Sequence, residues 1–316
     1  MYYIGIDLGG TNIAVGIVNE NHEIIAKGST PTLANREPGA ILDDMAKACA
    51  DVIAEAGLTV DDIEYAGIAT PGTADHDAGV VVYANNLPFL NYPLADELKK
   101  RIPFKAVYIE NDANAAALGE AVAGSAKGTS DSIMITLGTG VGGGIIIDGK
   151  LYTGCNSLAG ELGHIVIRQG GEPCGCGRRG CLEAYSSATA LIKSTREAME
   201  RNPDTIMWEM CENNLANVNG RTAFNAMRQG DMVAAEVIDM YIEYLAVGII
   251  NIINIFCPEV LSIGGGISNE KDRLLDMLLP RIGMRIYSSN SPRRTLIKIA
   301  ELGNEAGIIG AAALRA

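Results

Sequence analysis

Cationic residues are scarce in this sequence of 316 residues: 25 Lys and Arg stand against 38 Asp and Glu, a formal net charge of −13. That balance argues against a nucleic-acid surface, which needs clustered Lys and Arg. It argues equally against docking on anionic membranes. A phosphate ligand remains open, because backbone N–H groups bind phosphate without a net positive charge. Long apolar runs are missing too. The most apolar stretch, Tyr244 to Phe256, is too short to span a bilayer, carries Asn251 and Asn254, and reads as a buried helix. The opening residues, MYYIGIDLGGT, include neither a basic segment nor a long apolar one. The expected location is therefore cytoplasmic.

Two nucleotide-binding signatures are absent as well. There is no GxxxxGK[ST], and no GxGxxG opens a helix near the start. A Walker-type P-loop is excluded, and a Rossmann site is disfavoured. Histidines number only three: His22, His76 and His164. The seven cysteines are an odd count, which argues against a disulfide framework.

What the sequence does have is hydrophobic content of 48%, enough to bury the core of two ordinary lobes. Strand and helix signals alternate, which predicts an α/β architecture. Tyr3–Ile6 and Ala14–Val18 read as strands around the turn Asp7-Leu8-Gly9-Gly10-Thr11-Asn12. Ser132–Leu137 and Gly142–Ile147 repeat that shape around Gly138-Thr139-Gly140. Between the two hairpins come a helix over Pro38–Ala56, a strand over Ile63–Ala69, a short helix over Pro93–Arg101, a strand over Ala106–Glu110 and an Ala-rich helix over Asn111–Ala121. Cys155 to Cys181 is irregular, helices dominate Ser187–Phe256, Val260–Ile263 is a strand, and Asn304–Leu314 is an apolar helix.

Three glycine-rich loops follow strands. Glycines let a ligand approach the backbone closely, and successive N–H groups in such turns form an anion site. The first loop offers Gly9, Gly10, Thr11 and Asn12, with Asp7 placed to hold Mg²⁺ through water. The second offers Gly138, Thr139 and Gly140; the third, Gly264-Gly265-Gly266, suits a flat base packed on the backbone. Any one of them could be an ordinary turn.

Cys174, Cys176 and Cys181 lie within eight positions. Three thiols this close in a reducing compartment point to a metal, and CxC is not the CxxC redox motif. His164, ten positions before Cys174, completes a Cys3His set for structural Zn²⁺. Arg178 and Arg179 read as solvated loop charges. Asp112 stands where a strand meets a helix: it either caps the helix or serves as a general base in phosphoryl transfer.

The segments GIDLGGTNIAVGIV, MITLGTGVGGGIII and LSIGGGIS resemble the two phosphate motifs and the adenosine motif of the actin-like sugar kinases. Together with ENDA, ELGH and CGCGRRGCLE, they make the chain similar to the ROK family (repressor, open reading frame, kinase) over nearly its whole length. The closest fit is a bacterial-type ROK glucokinase. The resemblance implies two actin-like, ribonuclease H-like lobes with a nucleotide and sugar cleft and a small zinc-binding loop. The expected small lobe is 1–112 plus 303–316; the large lobe is 113–302, with its zinc loop at 164–181. It makes Asp112 the base, and Gly72, Asn86, Asn111, Glu161, His164 and Glu183 sugar-binding. His164 would bind zinc with one ring nitrogen and face the sugar with the other.

The implied activity is transfer of phosphate from ATP to the 6-hydroxyl of a hexose, foremost glucose. Mannose, fructose, N-acetylmannosamine, N-acetylglucosamine and allose are alternative acceptors. A sugar-sensing regulator is disfavoured, because the first strand begins at Tyr3 and leaves no room for a helix-turn-helix before it. A homodimer is expected by resemblance, with the apolar helix at Tyr241–Phe256 as a possible core.

Overall fold

The computed structural model describes residues 1–315. Along the chain come β1 (Tyr2–Leu8), β2 (Asn12–Asn19), β3 (Ile24–Pro31), α1 (Pro38–Glu55), β4 (Ile63–Thr70), β5 (Thr73–Asp75), β6 (Val80–Tyr83) and β7 (Leu90–Tyr92). Then follow α2 (Leu94–Arg101), β8 (Val107–Asn111), α3 (Asp112–Val122), β9 (Ser132–Leu137), β10 (Val141–Ile147) and β11 (Lys150–Leu151). The remainder is α4 (Glu183–Ser186), α5 (Ala188–Arg201), α6 (Met207–Met210), α7 (Thr222–Arg228), α8 (Met232–Phe256), β12 (Val260–Gly264), α9 (Asp272–Gly283), β13 (Leu296–Ile299) and α10 (Ala306–Ala312). Two five-stranded sheets have the orders β3-β2-β1-β4-β8 and β11-β10-β9-β12-β13, and β5-β6-β7 form a small third sheet. The mixed α/β class matches expectation. Both anticipated hairpins are present, the first in the register Gly5↔Gly16 and Asp7↔Ala14.

The chain forms two compact units, one of residues 1–134, 144–160 and 300–315, the other of 135–143 and 161–299. This differs from the expected boundary at 112, and the reason is local packing in the first unit. There α10 lies on α3 so closely that a Cβ on Gly310 would fall 1.7 Å from the carbonyl oxygen of Ala115, and one on Gly119 would fall 2.4 Å from that of Ala306. The same helix presses on β1 and β4, where a Cβ on Gly5 or Gly67 would lie 1.9 Å from its backbone oxygens. Small residues at these crossings let α10 pull α3 into the first unit. The other face of the sheet is covered by α1, whose Ile41, Leu42, Met45, Cys49, Val52 and Ile53 join Ile4, Ile6 and Leu8 in one apolar core.

In the second unit α8 buries Tyr241, Ile242, Leu245, Ala246, Ile249, Ile252 and Ile253. Tyr241 donates a hydrogen bond to the carbonyl of Ser186 at 2.7 Å. Most of the apolar run at Tyr241–Phe256 is therefore buried within the fold, while Ile255 is exposed. Among the described residues, no helix is long and apolar enough to cross a membrane.

Candidate active site

In the first unit, β8 ends at Asn111 and α3 starts at Asp112. The cap is Asn111, whose side-chain oxygen accepts from the backbone N–H of Ala113 at 2.9 Å and of Asn114 at 3.2 Å. Asp112 is thus the first helical residue, exposed, with Oδ1 accepting from the Ala113 N–H at 2.8 Å. The helix N-terminus favours its charged form. The alternative left open by the sequence, that Asp112 caps the helix, gives way to a carboxylate presented by a capped helix.

Around it the first unit gathers the other expected groups. Asn111 Nδ2 donates to the Gly72 carbonyl at 3.1 Å. Gly72 has φ +91°, and a Cβ there would lie 2.1 Å from the Tyr83 carbonyl, so only glycine fits. Asn86 is exposed, and its Cβ lies 3.4 Å from where a Cβ on Gly10 would be. Asp7, at the end of β1, is pushed up from the ordinary carboxyl value to about 6, first by burial and second by the charge of Asp112. The two carboxylates therefore feel each other. Thr11 and Asn12 are exposed at the same turn. That turn is fixed by the Gly9 N–H donating to Asn12 O at 2.9 Å and by Thr32 Oγ1 donating to Gly9 O at 2.7 Å.

In the second unit, Gly138, Thr139 and Gly140 form the turn between β9 and β10. The N–H of Ala188 donates to Gly138 O at 2.8 Å, and Thr189 Oγ1 donates to Thr139 O at 2.8 Å, so the start of α5 holds this loop. Gly265, at φ +83°, sits where a Cβ would be 2.6 Å from the backbone of Leu137, which brings the Gly264–Gly266 loop against the end of β9. Beside Gly266, a cavity of about 440 Å³ is lined by Ala188, Asn219, Gly220, Arg221, Ile267 and Asn269, among others. A flat base stacked on the Gly220 and Gly266 backbone suits such a space.

Glu183 opens α4, and its Oε2 accepts from the Val141 N–H at 3.0 Å. This approach needs glycine at 140, where a Cβ would lie 2.4 Å from that oxygen. Glu161 is exposed just before the short turn Leu162–His164. His164 turns Nδ1 toward Cys174 Sγ at 3.5 Å, while Nε2 lies 4.0 Å from Glu161 Oε2. One nitrogen thus faces the thiols and the other faces Glu161, the expected sugar ligand.

The ligand atoms of His164, Cys174, Cys176 and Cys181 all lie within 4.8 Å of one another. A tetrahedral zinc with ordinary bond lengths would span edges of about 3.8 Å between sulfurs and about 3.6 Å between sulfur and nitrogen. The structure has 3.7 Å for Cys176–Cys181 and 3.5 Å for Cys174–His164. The donor set fits zinc in kind and in size. Burial pushes the Cys174 thiol up to about 12, so a thiolate there needs a cation beside it. Arg178 donates to the His164 carbonyl at 3.3 Å, so it braces this loop and is not merely solvated.

Sequence reasoning missed Thr32, Thr189, Glu110 and His76. Glu110 is 3% exposed and His76 Nδ1 lies 3.0 Å from its Oε2. The hydrogen bond that His76 donates to the Glu110 carboxylate raises the imidazole above its ordinary value, with burial opposing. A signal existed for Glu110, since a Glu directly before Asn-Asp at a strand end is an unusual acid to place in a core.

A sequence model of the ROK family matches residues 3–316. The glucokinase of Thermotoga maritima is 38% identical over 312 residues, 98% of this chain and 96% of that protein. A ROK family glucokinase from Streptomyces griseus, solved in complex with glucose and AMPPNP, is 33% identical with a TM-score of 0.83, covering 99% of both chains. The ROK hexokinase of Thermus thermophilus is 32% identical with a TM-score of 0.85, covering 99% of this chain and 97% of that one.

Proposed function

The chain belongs to the ROK family, and on that premise we propose that it is an ATP-dependent hexokinase of the glucokinase type, which phosphorylates glucose at its 6-hydroxyl. The observation that carries the reading is the division of labour at the β8–α3 junction. Asn111 takes the cap, so Asp112 is left exposed at a helix N-terminus beside a second carboxylate, Asp7.

In this reading Asp112 orients the 6-hydroxyl and accepts its proton as the oxygen attacks the γ-phosphorus. Phosphoryl transfer needs positioning and charge stabilisation more than a strong base, so a carboxylate of low basicity suffices. By likeness to the family, Gly72, Asn86, Asn111, Glu161, His164 and Glu183 are the sugar-binding residues, and several such contacts can read hydroxyl orientation. The Gly9–Asn12 and Gly138–Gly140 loops hold phosphates, and Gly264–Gly266 packs the adenine. Mg²⁺, held through water by Asp7, would offset the charge on the phosphates. Zn²⁺, held by His164, Cys174, Cys176 and Cys181, would fix the orientation of His164 and the loop leading to Glu183. A homodimer in the cytoplasm belongs to the same proposal and rests on the family.

The test is a coupled assay of ADP release with glucose, mannose, fructose, N-acetylmannosamine, N-acetylglucosamine and allose. Glucose is expected to give the highest kcat/KM. Asp112→Asn should lower kcat by about 10²-fold or more, while calorimetry still detects glucose binding. A variant with near wild-type turnover would remove Asp112 from its role.

A further inference from the structure

We propose that Glu110 and His76 form a buried clamp that positions Asp112, without touching substrate themselves. The inference rests on the kinase reading and names a further pair of residues for it.

The Glu110 side chain is 4% exposed and both its oxygens are engaged. Oε1 accepts from the Asn111 N–H at 2.7 Å and from Asn114 Nδ2 at 2.9 Å. Oε2 faces His76 Nδ1 at 3.0 Å. The carboxylate therefore holds the backbone one residue before Asp112 and a side chain two residues after it. His76 Nδ1 also lies 3.2 Å from the carbonyl of Ile109. Both neighbours are acceptors, so Nδ1 carries a proton in either protonation state of the ring.

His76 follows β5 on the segment that begins at Gly72. Asn111 Nδ2 already ties Gly72 to the junction at 3.1 Å. The segment expected to line the sugar and the turn expected to present the base are thus joined at two points, and the second is Glu110–His76. Apolar packing does not replace this tether. Behind it lies a cavity of about 570 Å³, lined by His76, Glu110 and Ile109 and by Lys150, Arg315 and Asp77, among others. With open space on that side, hydrogen bonds must set the position of the imidazole.

Apolar residues of the same volume could not direct the N–H of Asn111 and the amide of Asn114, as the Glu110 carboxylate does.

The experiment compares steady-state kinetics of the full-length wild type with His76→Leu, His76→Asn, Glu110→Gln and the double variant Glu110→Gln/His76→Asn. Leu removes the donor, whereas the Asn amide can place its N–H where Nδ1–H stands. His76→Leu should lower kcat by about 10- to 100-fold, the scale of an ångström-sized misplacement of a reacting group. The KM for ATP should change less than about twofold, because neither residue contacts the glycine loops. His76→Asn should recover most of the loss. Glu110→Gln should lose activity on its own and regain part of it in the double variant, where the Gln amide N–H meets the Asn carbonyl. That non-additive recovery is something a general destabilisation would not produce. An active wild type with a His76→Leu kcat within twofold, or a double variant with losses that simply multiply, would overturn the clamp alone. If His76→Leu fails to fold, the comparison of Glu110→Gln with the double variant still decides. An inactive wild type would overturn the kinase reading and the clamp with it.

Discussion

Asp7 offers a measurement that does not depend on turnover. Its carboxyl moves from 3.8 to about 6 in the folded protein, chiefly by burial and then by the charge of Asp112. Part of that burial comes from α10, because a Cβ on Gly307 would sit 2.7 Å from the Asp7 carboxylate. A raised folded-state value has a definite sign in linkage. Below about pH 4 Asp7 is protonated in both states and costs nothing. Between about pH 4 and 6 the unfolded chain releases this proton first, so native stability falls as pH rises. The shift is about two units, and at about 1.4 kcal/mol per unit the full loss approaches ~3 kcal/mol. Above about pH 6 the contribution is flat.

The assay is urea unfolding of wild type and Asp7→Asn at constant ionic strength from pH 4 to 7.5, without Mg²⁺ or nucleotide. Other groups titrate in that range, so the quantity to follow is the difference between the two proteins. Asp7→Asn should gain on the wild type as pH rises, by up to ~3 kcal/mol at pH 7, and should bind MgATP more weakly. Asp112→Asn should lower the midpoint of the effect, since Asp112 supplies its second cause. A difference between wild type and Asp7→Asn that stays constant from pH 4 to 7 would refute the reasoning.

Two further outcomes follow from the packing and the thiol cluster. The purified protein should carry one equivalent of zinc, measured by elemental analysis. Chelation or Cys181→Ser should lower the midpoint seen by Trp208, a loss of unfolding free energy of about 4 kcal/mol if free zinc stands a thousandfold above its dissociation constant. A metal-free protein with an unchanged midpoint would remove zinc from the account. Gly310→Ala should destabilise by about 3 kcal/mol in urea titrations, because its methyl group would meet the Ala115 carbonyl at 1.7 Å. A shift below 1 kcal/mol would mean that α10 moves aside freely.

Much of this was legible from local sequence. The two hairpins carry glycine-rich turns between short apolar runs, and α1 carries a helical apolar stripe with Pro38 at its start. The thiol cluster is a matter of spacing alone, and its assembly around His164 followed. What escaped depends on tertiary context. β3 reads IIAKGSTP with alternating burial and few strong strand formers; it is a strand because β2 offers an edge. The small sheet β5-β6-β7 consists of pieces of three or four residues, below the length at which a pattern can be read. α9 contains Pro280, which obscures its helical signal, although the helix runs to Gly283. At the site, the choice between Asn111 and Asp112 as cap could not be made from types alone, since both are good caps. Glu110 and His76 stand 34 positions apart, and only the pairing of β4 with β8 and the turn after β4 bring them together.

The close packing of α10 has a consequence for how the chain is made. Gly5 and Gly67 open gaps in the first sheet that nothing fills until residues 306–312 arrive. Ribosomes add about 5–20 residues per second, so synthesis from residue 134 to residue 300 leaves that face uncovered for roughly ten seconds or more. During this interval the nascent first unit exposes the backbone and apolar surface that α10 later covers. Asp7 then lacks the part of its burial that α10 supplies, so its carboxyl lies closer to the ordinary value than in the finished fold. The nucleotide-binding turn therefore acquires its finished electrostatics only as the C-terminal helix docks, which makes docking of α10 a checkpoint on the completeness of each newly made molecule.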